Sequence, residues 1–301
     1  MTATLIGSGA PRLQRNWDSR AALNFIGGGS GTGLLLAASA ALPAGWPYYP
    51  FGIMAITLIG LGLSMVWWEI GRPLRALNVF FHPQTSWMTR EAFLALPVLT
   101  LAGLAVLLDQ PFVPVPFQAH APAAILARVA AVLGLGFLYC QARILHASRG
   151  VPAWRERSLQ PVIIITGIAE GSGLMLLLGL FFGRPSTLAV VASIVVLVMR
   201  AAAWERYRYQ LKLAAPGPAN VAISRASLPI HLLGHVVAAI LLVAALVGLS
   251  PALSAAVAGL FVAATGAWLK FAVVTRAAFT QGFSVPFVPI RGSIGAPMRH
   301  R

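Results

Sequence analysis

The sequence predicts an all-α integral membrane protein of eight transmembrane helices, and three observations carry that expectation. Of 301 residues, 58% are hydrophobic and only 10% charged, against about 25% charged in a soluble domain. A water-facing surface cannot be built from this composition. The charges gather in short clusters between long apolar runs, the pattern of a chain solvated by lipid. The basic clusters, in turn, fall in alternate loops, as the positive-inside rule requires of a polytopic chain.

A span needs about 20 predominantly apolar residues. The runs place eight of them at 21–42, 49–70, 92–108, 123–145, 162–182, 187–204, 228–249 and 251–275. The third is short, and a tight hairpin joins the last two. The segment before the first run is polar and Arg-containing, and that run is long enough to span, so no cleavable signal peptide is expected. The chain then divides into an N-terminal segment at 1–20, a membrane domain at 21–275 and a tail at 276–301. Pro286, Pro289 and Pro297 favour an extended tail.

Orientation follows from the basic residues. Arg12, Arg15 and Arg20 precede span one, and Arg72, Arg75 and Arg90 lie between spans two and three. Arg143, Arg149, Arg155 and Arg157 join spans four and five; Arg200, Arg206, Arg208, Lys212 and Arg225 join six and seven; Arg276, Arg291, Arg299 and Arg301 follow span eight. Among the alternate loops only 183–186 carries a basic residue, Arg184. Both termini are therefore expected in the cytoplasm, in an inner (cytoplasmic) membrane.

The net charge of +15 would suggest nucleic acid in a soluble protein. Here the basic residues sit at helix ends and meet anionic headgroups, so the bilayer is the expected partner and nucleic acid is not. The single cysteine, Cys140, excludes an intrachain disulfide, a Cys-ligated iron–sulfur cluster and a structural zinc site within this sequence. A faint repeat is also visible. FIGGGSGTGLLL from Phe25 and IAEGSGLMLLL from Ile168 both set Gly-Ser-Gly before a Leu run. Either the membrane domain consists of two four-helix halves, or small residues simply let membrane helices approach closely.

Ionisable groups at membrane depth are costly and usually functional. Several gather at the cytoplasmic ends of the first four spans: Trp17 and Asn24; Glu69 and Arg72; Arg90 and Glu91; Tyr139, Gln141, Arg143 and His146. Spacings of four and three put Tyr139, Arg143 and His146 on one side of their helix. A quinone needs such a set: hydrogen-bond donors for its two oxygens, a carboxylate or imidazole for proton exchange, and an apolar groove for its tail. The plainer reading is that Arg and Glu here cap helices, pair with one another or anchor headgroups. Glu170 lies deep in span five and reads either as a proton-path carboxylate or as a packing residue. His231 and His235 share one helix face, which does not bracket a haem iron; His146 with His235 is a pair on two helices at matching depth that could.

Three functions fit these residues. The first is a quinone-reactive anchor of a multi-subunit oxidoreductase. The second is a secondary transporter or channel, in which the glycines at 27–33 would break a helix at midplane. The third is a haem-bearing cytochrome subunit.

Three segments favour the first. EIGRPLRALNVFFHPQTSWMTRE, ARILHASRGVPAW and FTQGFSVPFVPIRG resemble segments of the membrane-anchor subunits of dimethyl-sulfoxide-reductase-type complexes, distantly related to the polysulfide-reductase and nitrite-reductase anchor group. The resemblance implies an eight-helix, quinone-reactive protein that uses menaquinone or ubiquinone and holds no haem or metal of its own. It implies a ferredoxin-like iron–sulfur partner and, beyond it, a molybdenum or tungsten bis-pterin catalytic subunit (a molybdopterin enzyme). Arg72, Arg75, Arg90 and Glu91 fall on matching motif positions. Glu69 stands where the dimethyl-sulfoxide-reductase anchor has a functional His, which leaves the identity of the proton-exchanging group open. Tyr139 is the counterpart, on this resemblance, of a functional Tyr in the polysulfide-reductase anchor.

Overall fold

A computed structural model describes residues 10–70, 73–112 and 120–281. The helices are α1 (Ser19–Ala41), α2 (Tyr49–Ile70), α3 (Trp87–Asp109), α4 (His120–Ala147), a short α5 (Pro152–Arg155), α6 (Leu159–Gly179), α7 (Thr187–Ala214), α8 (Gly217–His231), α9 (Ala238–Leu246) and α10 (Pro251–Phe271). A π-turn, Leu232–Val237, joins α8 to α9, and a second, Ala272–Arg276, extends α10. Eight membrane-length helices result, with α8 and α9 forming one, and no strand occurs among the described residues.

Boundaries depart from the apolar runs where polar residues start or prolong a helix. α3 begins at Trp87 because the Ser86 side chain accepts from the Thr89 amide. α7 continues ten residues past the run, to Ala214, because its end is amphipathic. Trp204, Tyr207 and Leu211 are buried while Glu205, Arg206 and Tyr209 are exposed. Arg200 is no loop residue: it lies midway along α7, fully buried. The hairpin before α10 turns through Gly248 and Ser250, both at positive φ.

The helices form two four-helix halves, α1–α4 and α6–α10. They meet where α1 lies against α6, with α4 also on α6 and α10 also on α1. The two Gly-Ser-Gly runs lie at this junction. A Cβ on Gly33 would overlap the Gly167 carbonyl, and one on Gly171 the Gly33 backbone. Helix α1 is continuous through 27–33. Its glycines face α2 at Gly27 and Gly31, Gln141 at Gly28 and Lys270 at Gly29. They serve close approach rather than a break.

The described N-terminal segment and the residues that follow α10 lie on one face. The Gln14 amide donates to the Ala278 carbonyl and the Thr280 amide to the Arg12 carbonyl, so Leu13 and Phe279 pair antiparallel. Beneath them, α5 is wedged into the bundle. The Trp154 indole donates to the Val273 carbonyl at 2.9 Å, and the Tyr207 hydroxyl donates to the Ala153 carbonyl at 3.0 Å. On the opposite face the Asp109 carboxylate accepts from the Tyr48 and Tyr49 amides, which starts α2.

Candidate functional site

At the face where the N-terminal segment meets the residues after α10, the ends of α1–α4 surround a pocket of about 220 Å³. Trp17, Asn24 and Phe25 line it from the N-terminal segment and α1, Val66 and Glu69 from α2, Met88 and Glu91 from α3, and Ile144 from α4. Asn24 and Glu91 are buried. The side-chain amides of Gln141 and Asn24 face the Glu91 carboxylate, and Gln141 Nε2 donates to the Asn24 carbonyl at 3.2 Å. Asn24 Oδ1, Glu91 Oε1 and Gln141 Oε1 find no further partner among the described residues. Buried polar atoms are normally paired, so a cluster of three is a place where a polar ligand or water binds.

The pocket rim is held from several sides. The Gln14 side chain clamps the Trp17 backbone through both its oxygen and its nitrogen, and the Trp17 ring stacks on Trp154 at 4.9 Å. Asp18 caps α1, accepting from the Arg20 amide, and pairs with the Arg20 guanidinium at 2.9 Å. The side-chain hydrogen bond from Arg20 holds the Asp18 carboxyl below its usual range. Arg20 also donates to the Trp68 carbonyl, beside Glu69.

A second, apolar groove of about 380 Å³ lies between α2 and α3. Gly60, Leu63 and Trp67 form one wall, Ala92, Ala95 and Leu99 the other, and Phe80 one end. Val66, Met88 and Glu91 belong to both groove and pocket. Trp67 is 55% exposed on the outer surface of the bundle, so the groove opens toward lipid.

The remaining residues named from sequence are placed differently. Tyr139 is 42% exposed and meets the edge of the Trp87 ring at 5.7 Å. Arg143 and Arg90 both stack on Trp87, at 4.7 and 4.2 Å, and Arg90 donates to the Pro83 and Gln84 carbonyls. His146 is half-buried. None of these four lines the pocket. Arg72 and the side chain of Arg75 lie outside the described residues, as does the tail from 282 onward.

Glu170 is fully buried midway along α6. Lys270 of α10 donates to its Oε2 at 2.6 Å, and Ser30 of α1 donates to the same oxygen at 2.7 Å. Sequence reasoning passed over Lys270, although a lone lysine in the last apolar run was the signal to follow. It also gave Arg200 to a loop. Arg200 in fact donates to His235 Nε2, the Gly234 and Val262 carbonyls and the Thr265 hydroxyl. His235 thus spends Nε2 on an arginine, and His231 faces Glu205 and Arg208.

Residues 49–288 match the family described as DMSO reductase anchor subunit (DmsC). The chain belongs to this family. No curated protein matches it. As an anchor subunit it is the membrane-embedded member of a complex with catalytic and iron–sulfur subunits. The match begins with α2, so Glu69, Glu91, Gln141, Glu170, Arg200 and Lys270 of the anchor lie within it, while Asn24 and Ser30 precede it. Among the described residues no group of three or more His, Cys, Asp or Glu side chains is placed to hold a metal.

Proposed function

We propose that this anchor exchanges electrons and protons with the membrane quinone pool in the α1–α4 pocket, on the cytoplasmic face, and passes the electrons to or from an iron–sulfur subunit docked there. One observation carries the reading: Glu91 is a buried carboxylate that lines both the pocket and the lipid-side groove. A membrane-dissolved ligand can therefore reach a proton-exchanging group without crossing water. The cytoplasmic assignment rests on the basic loops at this face.

The donor set fits the ligand. A quinone, when bound, would take up two electrons and two protons per turnover through a pair of ring oxygens, and a quinol would release them. Asn24 offers an amide to orient one oxygen, and its free Oδ1 accepts from a hydroxyl. Glu91 takes or returns a proton, and the half-exposed Glu69 at the rim hands it to bulk water. Trp17, Phe25, Val66, Met88 and Ile144 keep the ring dry, and the groove between α2 and α3 holds the isoprenoid tail. Tyr139 and His146 stand at the end of α4, outside this lining, and support the site from behind.

The test is turnover of the intact complex with quinone, with a soluble redox dye as the control for assembly. Glu91→Gln should lower the quinone-coupled rate about 10²–10⁴-fold and spare the dye reaction. His146→Ala should act more weakly. If Glu91→Gln and Asn24→Ala both keep the full quinone-coupled rate, the site lies elsewhere.

A further inference from the structure

The pocket leaves unused a polar core midway across the bundle. Glu170, Lys270 and Arg200 are fully buried there. Glycines make room for these polar ends. A Cβ at Gly29 would overlap Lys270 Nζ, one at Gly266 the Glu170 carboxylate, and one at Gly234 both Thr265 and Arg200. Packing alone does not call for this arrangement. Replacing a buried ion pair by apolar residues of similar volume is often neutral or stabilising, so stability does not explain why charge sits here.

The core connects in both directions. Lys270 donates to the Phe25 carbonyl at 3.0 Å, and Gln141 donates to the neighbouring carbonyl of Asn24. Phe25 and Asn24 are both pocket residues. On the other side, Ala169 and Val262, the latter bound through its carbonyl to Arg200, line a void of about 10 Å³ with Ser172 and Ser193. That is room for about one water. The same two serines line a cleft of about 400 Å³ that reaches Pro43 and Ser186, at the face opposite the pocket. Along this line Thr166 Oγ1, Glu170 Oε1 and His235 Nδ1 are buried without a partner among the described residues, and such atoms are where ordered water binds.

We propose that Glu170 and Lys270 form a proton-carrying site at the centre of the bundle, linking the quinone pocket to the opposite face of the membrane. This rests on the quinone reading above. Oxidation of a quinol to the quinone releases two electrons, taken by the iron–sulfur partner, and two protons; reduction takes up the same. At least one of these protons travels between the pocket and the opposite face by way of the Glu170 carboxylate, so that electron transfer also moves charge across the bilayer.

The test uses the whole complex in liposomes, soluble subunits outward, with a pH-sensitive dye trapped inside and an added quinol or quinone as substrate. Quinone-coupled turnover of the wild type should change the interior pH, and an uncoupler should collapse the change. Glu170→Gln should lower the number of protons appearing or vanishing inside per electron pair by at least about tenfold. The volume-matched Glu170→Met/Lys270→Met pair guards against misfolding, since it leaves no orphan charge; it should assemble and show the same loss. The proposal is overturned if the wild type moves no protons to or from the interior, or if both variants match its ratio. It is also overturned if both lose the soluble-dye reaction, because the pair then serves assembly. Absence of any quinone-coupled turnover in the wild type would instead bring down the quinone reading, and this proposal with it.

Discussion

At Gly33 and Gly171 the central helices of the two halves touch backbone to backbone, leaving no space for a methyl group. Gly171→Ala should therefore push α1 from α6 at the junction on which both halves rest. Overpacking of this kind typically costs about 1–3 kcal/mol, and backbone on the receiving side yields less than a side chain does. The expected outcome is a clearly lowered thermal midpoint and yield of the detergent-solubilised chain. Gly103→Ala, with nothing within 4 Å of its Cβ, is the neutral control. Equal behaviour of the two would remove the junction from the account. The glycine run was conspicuous in the sequence, but its meaning was not. A break in a helix and a contact surface for four neighbours draw on the same residues, and only the neighbours distinguish them. Ion-pair partners were hidden for the same reason: Glu170 was noticed for its depth, and Lys270, 100 residues away, was not.

At the scale of elements, the connection 148–158 shows how a short motif becomes a structural part. Its PAWR run forms α5, in which Pro152, Ala153 and Trp154 are all buried. Trp154 ties α5 to two other elements: it stacks on Trp17 of the N-terminal segment and bonds to Val273 in the π-turn that extends α10. Trp154→Ala should cost about 3–5 kcal/mol, as large core truncations do, and should free the segment before α1. Limited proteolysis of sealed membranes from the termini side would then cut before Ser19 faster than in the wild type. An unchanged cutting rate would mean that Gln14 and the tail hold the segment without the indole. The seventh span is another element whose form lay outside sequence patterning. The hydropathy run begins at 228, yet the helix starts at Gly217 and passes through a π-turn at Leu232–Val237. In that turn the Gly234 carbonyl is given to Arg200. A π-register frees backbone groups for such use, and nothing local to 232–237 announces that an arginine from α7 will claim one.

For the whole molecule, the N-terminal segment pairs with the start of the tail on one face. The hydrogen bonds from Gln14 and Thr280 flank Leu13 and Phe279 rather than join them. In that geometry the paired Cα atoms lie about 4.5 Å apart, near the short end of the range a disulfide spans. A Leu13→Cys/Phe279→Cys chain, with Cys140→Ser to remove the buried native thiol, should crosslink within one chain under mild oxidation. The product would be read as a mobility shift reversed by a reductant. Failure to crosslink would detach the tail from the N-terminal segment and reopen the topology.

While the repeat only raised the two halves as one of two readings, the sequence alone determined the membrane as solvent, the eight spans and the clustering of basic residues in alternate loops. Each of these is a sum over neighbouring residues, and lipid solvation responds to such sums: twenty apolar residues in a row span a bilayer whatever lies beside them. Convergence of Asn24, Glu69 and Glu91 was also legible, because helix ends on one face of a bundle cannot be far apart. Only the tertiary structure decided which polar groups share a cavity. It left Tyr139 and His146 off the pocket lining, opened the groove between α2 and α3, and joined Glu170 to Lys270 and Ser30. Those outcomes depend on the rotation of each helix about its axis and on its choice of neighbour. That rotation is set by contacts between residues far apart in the chain, which hydropathy, being nearly the same all round a membrane helix, does not record.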